Sequence, residues 1–239
     1  NNSLHHKYNL KGSYKIRPYV KQNATILELG CGGGWALLPY HKAGFTYYGF
    51  DYNDDYIQFG KQHYNLNLFK GGVDEALSYS IKADFLFMNH VLEHTPDPIG
   101  FLKSIKPLLN NNALINISVP SVNFMWFGGG GSATRLLDTL QIAHTVLFDD
   151  TTLAYAVQKS GYKIISCIGG NVLLSFSPDY HTTPTLPKNR GHRVFKLLQF
   201  FEKTRWRTFW IPARLRHNAH MIHYLLYPLQ LIKKWYLTF

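Results

Sequence analysis

The sequence predicts an α/β chain with a parallel sheet and helices on both faces, followed by a basic, aromatic and mainly helical C-terminal extension. Three observations carry this. Short β-branched or aromatic apolar runs alternate with longer stretches whose apolar residues recur three and four apart. Single helical stretches between the runs force parallel pairing, because each crossover returns the chain to the same end of the sheet. With 239 residues, 46% hydrophobic and 16% charged, the chain is globular and long enough to bury a core.

The elements follow in order. Residues 1–23 are polar and aromatic (Tyr8, Tyr14, Tyr19) and read as a lead-in or lid. TILEL (25–29) is a buried strand that ends in glycines, and WALLPYHKAG (35–44) is a helix stopped by Gly44. TYYGFD (46–51) is a second strand, and DDYIQFGKQHY (54–64) is a helix with acids in its first turn. NLFKGG (67–72) and ADFLFMN (83–89) are the third and fourth strands. PIGFLKSIKPLL (98–109) is a helix and ALINISVP (113–120) a fifth strand. DDTTLAYAVQKSG (149–161) is a capped helix, and YKIISCIGG (162–170) a sixth strand. The core is thus expected over 24–178, with the extension over 179–239.

Two cysteines, Cys31 and Cys167, are too few for a disulfide framework, and a reducing, cytoplasmic setting is expected. No run of about 18 uninterrupted apolar residues exists to span a bilayer. Charge is uneven: from Lys188 onward lie eleven of the 25 Lys/Arg but one of the 14 Asp/Glu, Glu202, so the net +11 belongs mainly to the extension.

Ligands of such sheets sit beyond the carboxyl ends of the strands. After the first strand comes ELGCGGGW, with Gly30, Cys31 and Gly32 in a turn that frees backbone amides at a helix start, as a nucleotide-like ligand needs. Asp51 ends the second strand about 20 residues later, where an acid can accept both hydroxyls of a ribose. Trp35 occupies the place where dehydrogenases carry their third glycine, which argues against a nicotinamide enzyme.

Residues 90–94 read HVLEH, the H-x-x-E-H pattern of inverted zinc proteases. Those enzymes bring a further acidic ligand from downstream, and no Glu lies between Glu93 and Glu202. No metal is therefore expected from this motif.

E-L-G-C-G-x-G, an acid ending the second strand, DFLFMNHVLEHTPDP and HTVLFDDTTLAYAVQKSGYKII together resemble the class I S-adenosylmethionine-dependent methyltransferases over residues 14–175. The likeness is greatest to the branch that includes ubiquinone-biosynthesis O-methyltransferases and bacterial glycan and small-metabolite methyltransferases. It implies a Rossmann-like fold, S-adenosylmethionine as cofactor and a hydroxyl acceptor. Gly30, Cys31 and Gly32 would pass under the methionine part, with Glu28 near its ammonium. Asp51 would hold the ribose, Tyr52 would lie against the adenine, and Gly72, Val73 and Asp74 would edge it. Many relatives carry an acid where this chain has Gly72. Asn89 and His90 would close over the methionine moiety. A hydroxyl acceptor benefits from a base, and His94 and His144 are the candidates in the matched stretches.

FMWFGGGGSATRLLDTL (124–140) suits a lid over an apolar acceptor, with Arg135 available to an acidic group. In 188–239, Val194, Leu197, Leu198 and Phe201 recur at helical spacing with Arg193, Lys196 and Lys203 off that face, the makeup of an interfacial helix on anionic lipid. The expected partners are a small-molecule, glycan or lipid-linked acceptor and the inner face of a membrane. No RNA- or DNA-binding module is recognisable, so nucleic acid is not expected.

Overall fold

The computed structural model describes residues 20–122, 143–196 and Gln199. The expected lid at 124–140 with Arg135, most of the lead-in and the extension beyond Lys196 (save Gln199) lie outside these residues. The sheet unit takes in residues 20–120 and 143–186 of those described, and 121–122 and 187–196 belong to a second unit.

Seven strands form one sheet: β1 (Thr25–Leu29), β2 (Thr46–Asp51), β3 (Leu68–Lys70), β4 (Ala83–Asn89), β5 (Leu109–Ser118), β6 (Lys163–Ile168) and β7 (Asn171–Ser175), in the order β3-β2-β1-β4-β5-β7-β6. The pairs β1–β2, β1–β4, β2–β3 and β4–β5 are parallel, as the sequence implies. β7 departs from that expectation, lying antiparallel between β5 and β6. Gly169 and Gly170, at φ 60° and 78°, turn the chain back in two residues, and positive φ at both turn positions suits a tight hairpin. The Asp150 carboxylate accepts both of their backbone N–H groups, at 3.0 and 2.9 Å.

The α-helices of the sheet unit are α1 (Leu38–Lys42), α2 (Asp54–Tyr64), α3 (Val73–Ser78), α4 (Pro98–Ser104) and α5 (Asp150–Lys159). Two are shorter than the sequence periodicity suggests, and proline is the reason. Pro39 has no N–H to give a carbonyl four residues earlier, so α1 begins at Leu38 rather than Trp35. Pro107 likewise ends regular helix after Ser104 and leaves a 3-10 turn at Lys106–Leu108. Asn53 caps α2 and Asp149 caps α5, each accepting a backbone N–H from inside its helix.

Strand alternation divides the core between the two faces. Ile26, Phe85 and Phe87 pack with Leu37, Tyr40 and Ile57 on one side. Leu27, Leu86 and Met88 pack with Ala76, Leu102 and Leu153 on the other. Each fully buried side chain of this kind contributes about 1.5–3 kcal/mol, so the sheet is a rigid support for the loops at its carboxyl edge. Among the described residues no helix is long and apolar enough to cross a membrane.

Candidate functional site

The turn after β1 is held against β2. Gly30 and Cys31 donate their backbone N–H groups to Phe50 O, at 2.8 and 3.0 Å. Gly30 sits at φ 73°, and any Cβ there would overlap Cγ2 of Val91 in the loop after β4. The glycine therefore permits both the turn and the close approach of two strand ends. Asp51 fixes the turn from the side: Oδ2 accepts the N–H of Gly32 at 2.7 Å, and Oδ1 that of Asn53 at 2.8 Å.

A cleft of about 300 Å³ opens at this edge, lined by Leu29, Gly30, Asp51, Tyr52, Gly71, Gly72, Val73, Asp74, Val91, Phe101 and Ser104. Six of the expected cofactor residues (Gly30, Asp51, Tyr52, Gly72, Val73 and Asp74) meet there. Tyr52 is 75% exposed and its ring stands over Gly72, where a Cβ would collide with its hydroxyl. Phe101 and Ser104 were not anticipated. They lie three residues apart on α4, a spacing that puts both on one helix face, and that was the readable signal.

The other expected cofactor residues lie beside the cleft rather than in its lining. Glu28 is 1% exposed; its Oε1 meets Asn89 Nδ2 at 3.5 Å, and its Oε2 has no partner among the described residues. Burial drives the Glu28 carboxyl well above its ordinary range, the Asn89 contact opposing and the Asp51 charge adding. Cys31 is buried under the turn, with its thiol toward Gly32 O and raised well above the usual thiol value by burial, then by the Glu28 charge. Gly32 contributes its amide to Asp51 instead of lining the space.

HVLEH is not a helical clamp. Only Leu92–His94 turns, in a single 3-10 turn, while His90 sits at φ 56° and donates its backbone N–H to Ser118 O. His90 Nδ1 lies 3.1 Å from Oε1 of the buried Glu93. His94 Nδ1 lies 2.9 Å from the Ala143 carbonyl, and its Nε2 3.9 Å from Glu93 Oε1. The chain at 143–146 is bound to this turn, since Thr145 N and Val146 N donate to Glu93 O and Thr145 Oγ1 to Thr95 O. His144 thereby comes beside His94, with ring centroids 4.9 Å apart. Burial holds the His144 imidazole below its ordinary value, against an upward pull from Glu93. The two histidines expected as bases thus share one cluster, organised around a glutamate that the sequence reading had left without a role. Glu93, His94 and His144 offer metal-ligand atoms within 4.8 Å of one another.

A family model described as a methyltransferase domain matches residues 6–167. The chain belongs to the S-adenosylmethionine-dependent methyltransferases. Solved methyltransferase structures share the fold. One from Methanosarcina mazei gives a TM-score of 0.53 at 16% identity, covering 68% of this chain and 96% of that one. One from Mesorhizobium loti gives 0.51 at 15%, covering 68% and 95%. Among curated relatives, a tRNA U34 carboxymethyltransferase from Aliarcobacter butzleri is 32% identical over 123 residues, 46% of this chain and 37% of that protein. A ubiquinone biosynthesis O-methyltransferase from Pelagibacter ubique is 30% identical over 118 residues, 47% and 49%. The chain thus spans half or less of the length of these relatives. The family uses S-adenosylmethionine, and the seven-stranded sheet is the family fold.

Proposed function

We propose that this methyltransferase binds S-adenosylmethionine in the cleft at β1 and β2 and transfers its methyl group to a hydroxyl oxygen of a small-molecule, glycan or lipid-linked acceptor. The observation that carries the donor site is Glu28. A buried carboxylate oxygen without a partner is costly unless a cation completes it, and the ammonium of the methionine part is such a cation. Asn89 orients that carboxylate. Gly30, Cys31 and Gly32 give the cofactor its close approach, Asp51 has lone pairs left for a ribose, and Tyr52, Gly72, Val73, Asp74 and Phe101 enclose the base.

When bound, S-adenosylmethionine supplies a methyl group activated by its sulfonium. The protein contributes alignment and exclusion of water. His90, following β4, closes the methionine end. His94 and His144 carry the acceptor side, where a hydroxyl would give its proton to the lone pair of His94 Nε2, with His144 packed beside that ring.

The likeness to a tRNA-modifying relative favours a second reading, an RNA acceptor. A non-catalytic partner that keeps the cofactor fold is the other alternative; cofactor binding without turnover on any extract would favour it. Incubation with methyl-labelled S-adenosylmethionine and fractionated membrane and soluble extracts separates these. Label in a small or lipid-linked product is expected, and label confined to RNA or protein would overturn the first reading. We also propose that residues 188–239 hold the enzyme on anionic membrane. Flotation with anionic liposomes, with and without that segment, tests this; equal flotation would remove the claim.

A further inference from the structure

We infer that Glu93, His94 and His144 form a binding site for a divalent transition-metal cation of the zinc class. The ligand atoms of the three lie within 4.8 Å of one another. The Ala143 carbonyl can only accept, so His94 Nδ1 carries the ring proton and Nε2 presents a lone pair. That nitrogen faces Glu93 Oε1 at 3.9 Å, acceptor toward acceptor. Glu93 Oε2 and His144 Nδ1 are both buried and have no hydrogen-bond partner among the described residues. A 1% exposed carboxylate and two imidazoles therefore converge, and although His90 occupies Glu93 Oε1, the atoms Glu93 Oε2 and His144 Nδ1 are left without a partner. A cation supplies what the protein does not.

The donor set selects the ion. Two imidazoles and one carboxylate suit Zn²⁺, Co²⁺ or Ni²⁺ better than Mg²⁺ or Ca²⁺, which prefer all-oxygen shells. The Nδ1–H of His94 bonded to a backbone carbonyl is the outer-shell arrangement that fixes a metal-ligating histidine. Zn–N and Zn–O bonds of about 2.1 Å put tetrahedral ligand atoms about 3.4 Å apart, within reach by side-chain rotation on this scaffold. The His94 side chain is 40% exposed, which leaves an open side for a further ligand.

His90 is not one of the three ligands, although the H-x-x-E-H spacing nominates it. Its Nδ1 is bonded to Glu93 Oε1, and its φ of 56° takes it out of the turn that carries His94. The third ligand comes instead from fifty residues downstream, delivered when Thr145 and Val146 bond to Glu93 O. The cation would fasten residues 143–146 to the turn at 92–95. In the reaction proposed above it would also take over from the imidazole bases, binding the acceptor oxygen as a Lewis acid so that the hydroxyl proton passes to solvent water as the oxygen takes the methyl group. That last role rests on the methyl-transfer reading; the site itself does not.

The test titrates the metal-stripped full chain with ZnCl₂ by calorimetry and with CoCl₂ by visible absorption. One equivalent of each ion is expected, with Co²⁺ bands of a low-coordinate N/O site and a higher Tm with Zn²⁺. Twelve histidines make adventitious binding a real alternative, so variants decide. Glu93→Gln and His144→Ala should each weaken Zn²⁺ by more than about 100-fold, since even outer-shell losses reach 10–100-fold. His90→Ala should bind within about threefold of the parent. Retained S-adenosylmethionine binding by His144→Ala shows that this variant is folded. Absence of Zn²⁺ and Co²⁺ binding to the parent chain overturns the inference. So does binding that survives Glu93→Gln and His144→Ala, or that depends on His90. None of these readouts needs the methyl acceptor, so a failed label-transfer assay leaves the metal result intact.

Discussion

The Asp51 carboxylate accepts the backbone N–H of Gly32 at 2.7 Å, so the acid that ends β2 also shapes the turn that ends β1. The two features that mark a nucleotide-type site in the sequence are therefore one bonded unit. Replacing Asp51 by Asn should disturb both at once. Loss of a hydrogen bond to a charged group is worth about 1.5–3 kcal/mol, which predicts S-adenosylmethionine binding weaker by about 10- to 150-fold in calorimetry. Unchanged affinity would show that Asp51 serves the turn alone.

Glu28 gives a pH dependence whose sign is fixed. Its folded carboxyl is raised above the ordinary value, so the native apo state binds more protons than the unfolded chain. Stability of the apo protein should fall as pH rises from about 4.3, the unfolded carboxyl value, through the raised one. Cofactor affinity should rise over the same window, because the ammonium needs the ionised form. Glu28→Gln should melt higher than the parent at neutral pH yet bind S-adenosylmethionine far more weakly. A variant that is destabilised and still binds would contradict the role proposed for this residue.

Gly30 tests the close approach of two strand ends. Ala at this position meets both a φ of 73° and the Val91 methyl. Backbone strain of this type costs about 1–3 kcal/mol, and the overlap adds to it. In a double-mutant cycle, Val91→Ala should recover the steric part of the Gly30→Ala loss and leave the backbone part. Strict additivity of the two changes in denaturant melts would show that the contact is not felt.

Asp150 is predicted to decide how well the β6–β7 hairpin holds. Removing its carboxylate leaves the Gly169 and Gly170 amides without their acceptor. Asp150→Ala should cost about 1–3 kcal/mol, with faster amide exchange concentrated in β7. Uniformly faster exchange across the sheet would mean that the hairpin does not open by itself.

The parallel part of the fold was legible because its strands are short apolar runs set apart by helical stretches, and β1, β2 and β4 have the bounds read from sequence. β7 was not, since its NVLLS follows IGG so closely that Gly169–Gly170 reads as a strand end instead of a two-residue turn. α3 was missed because six residues are too few to display a helical period. At the site, local motifs placed Gly30, Asp51 and Tyr52 together. Glu93 escaped because its significance depends on His144, and no spacing rule relates a residue to one folded back from fifty positions away.

The reversed strand also has a bearing on biosynthesis. β5 ends at Ser118, and its partner β7 is not complete until Ser175. Translation at about 5–20 residues per second separates these two points by about 3–11 s. Throughout that interval the emerging chain carries β5 as a naked sheet edge, the kind of surface to which other chains add. Asn111 and Asn112, exposed at its start, are the part of that strand least inviting to such addition. Nascent-chain quality control would thus have its clearest target in a half-built sheet.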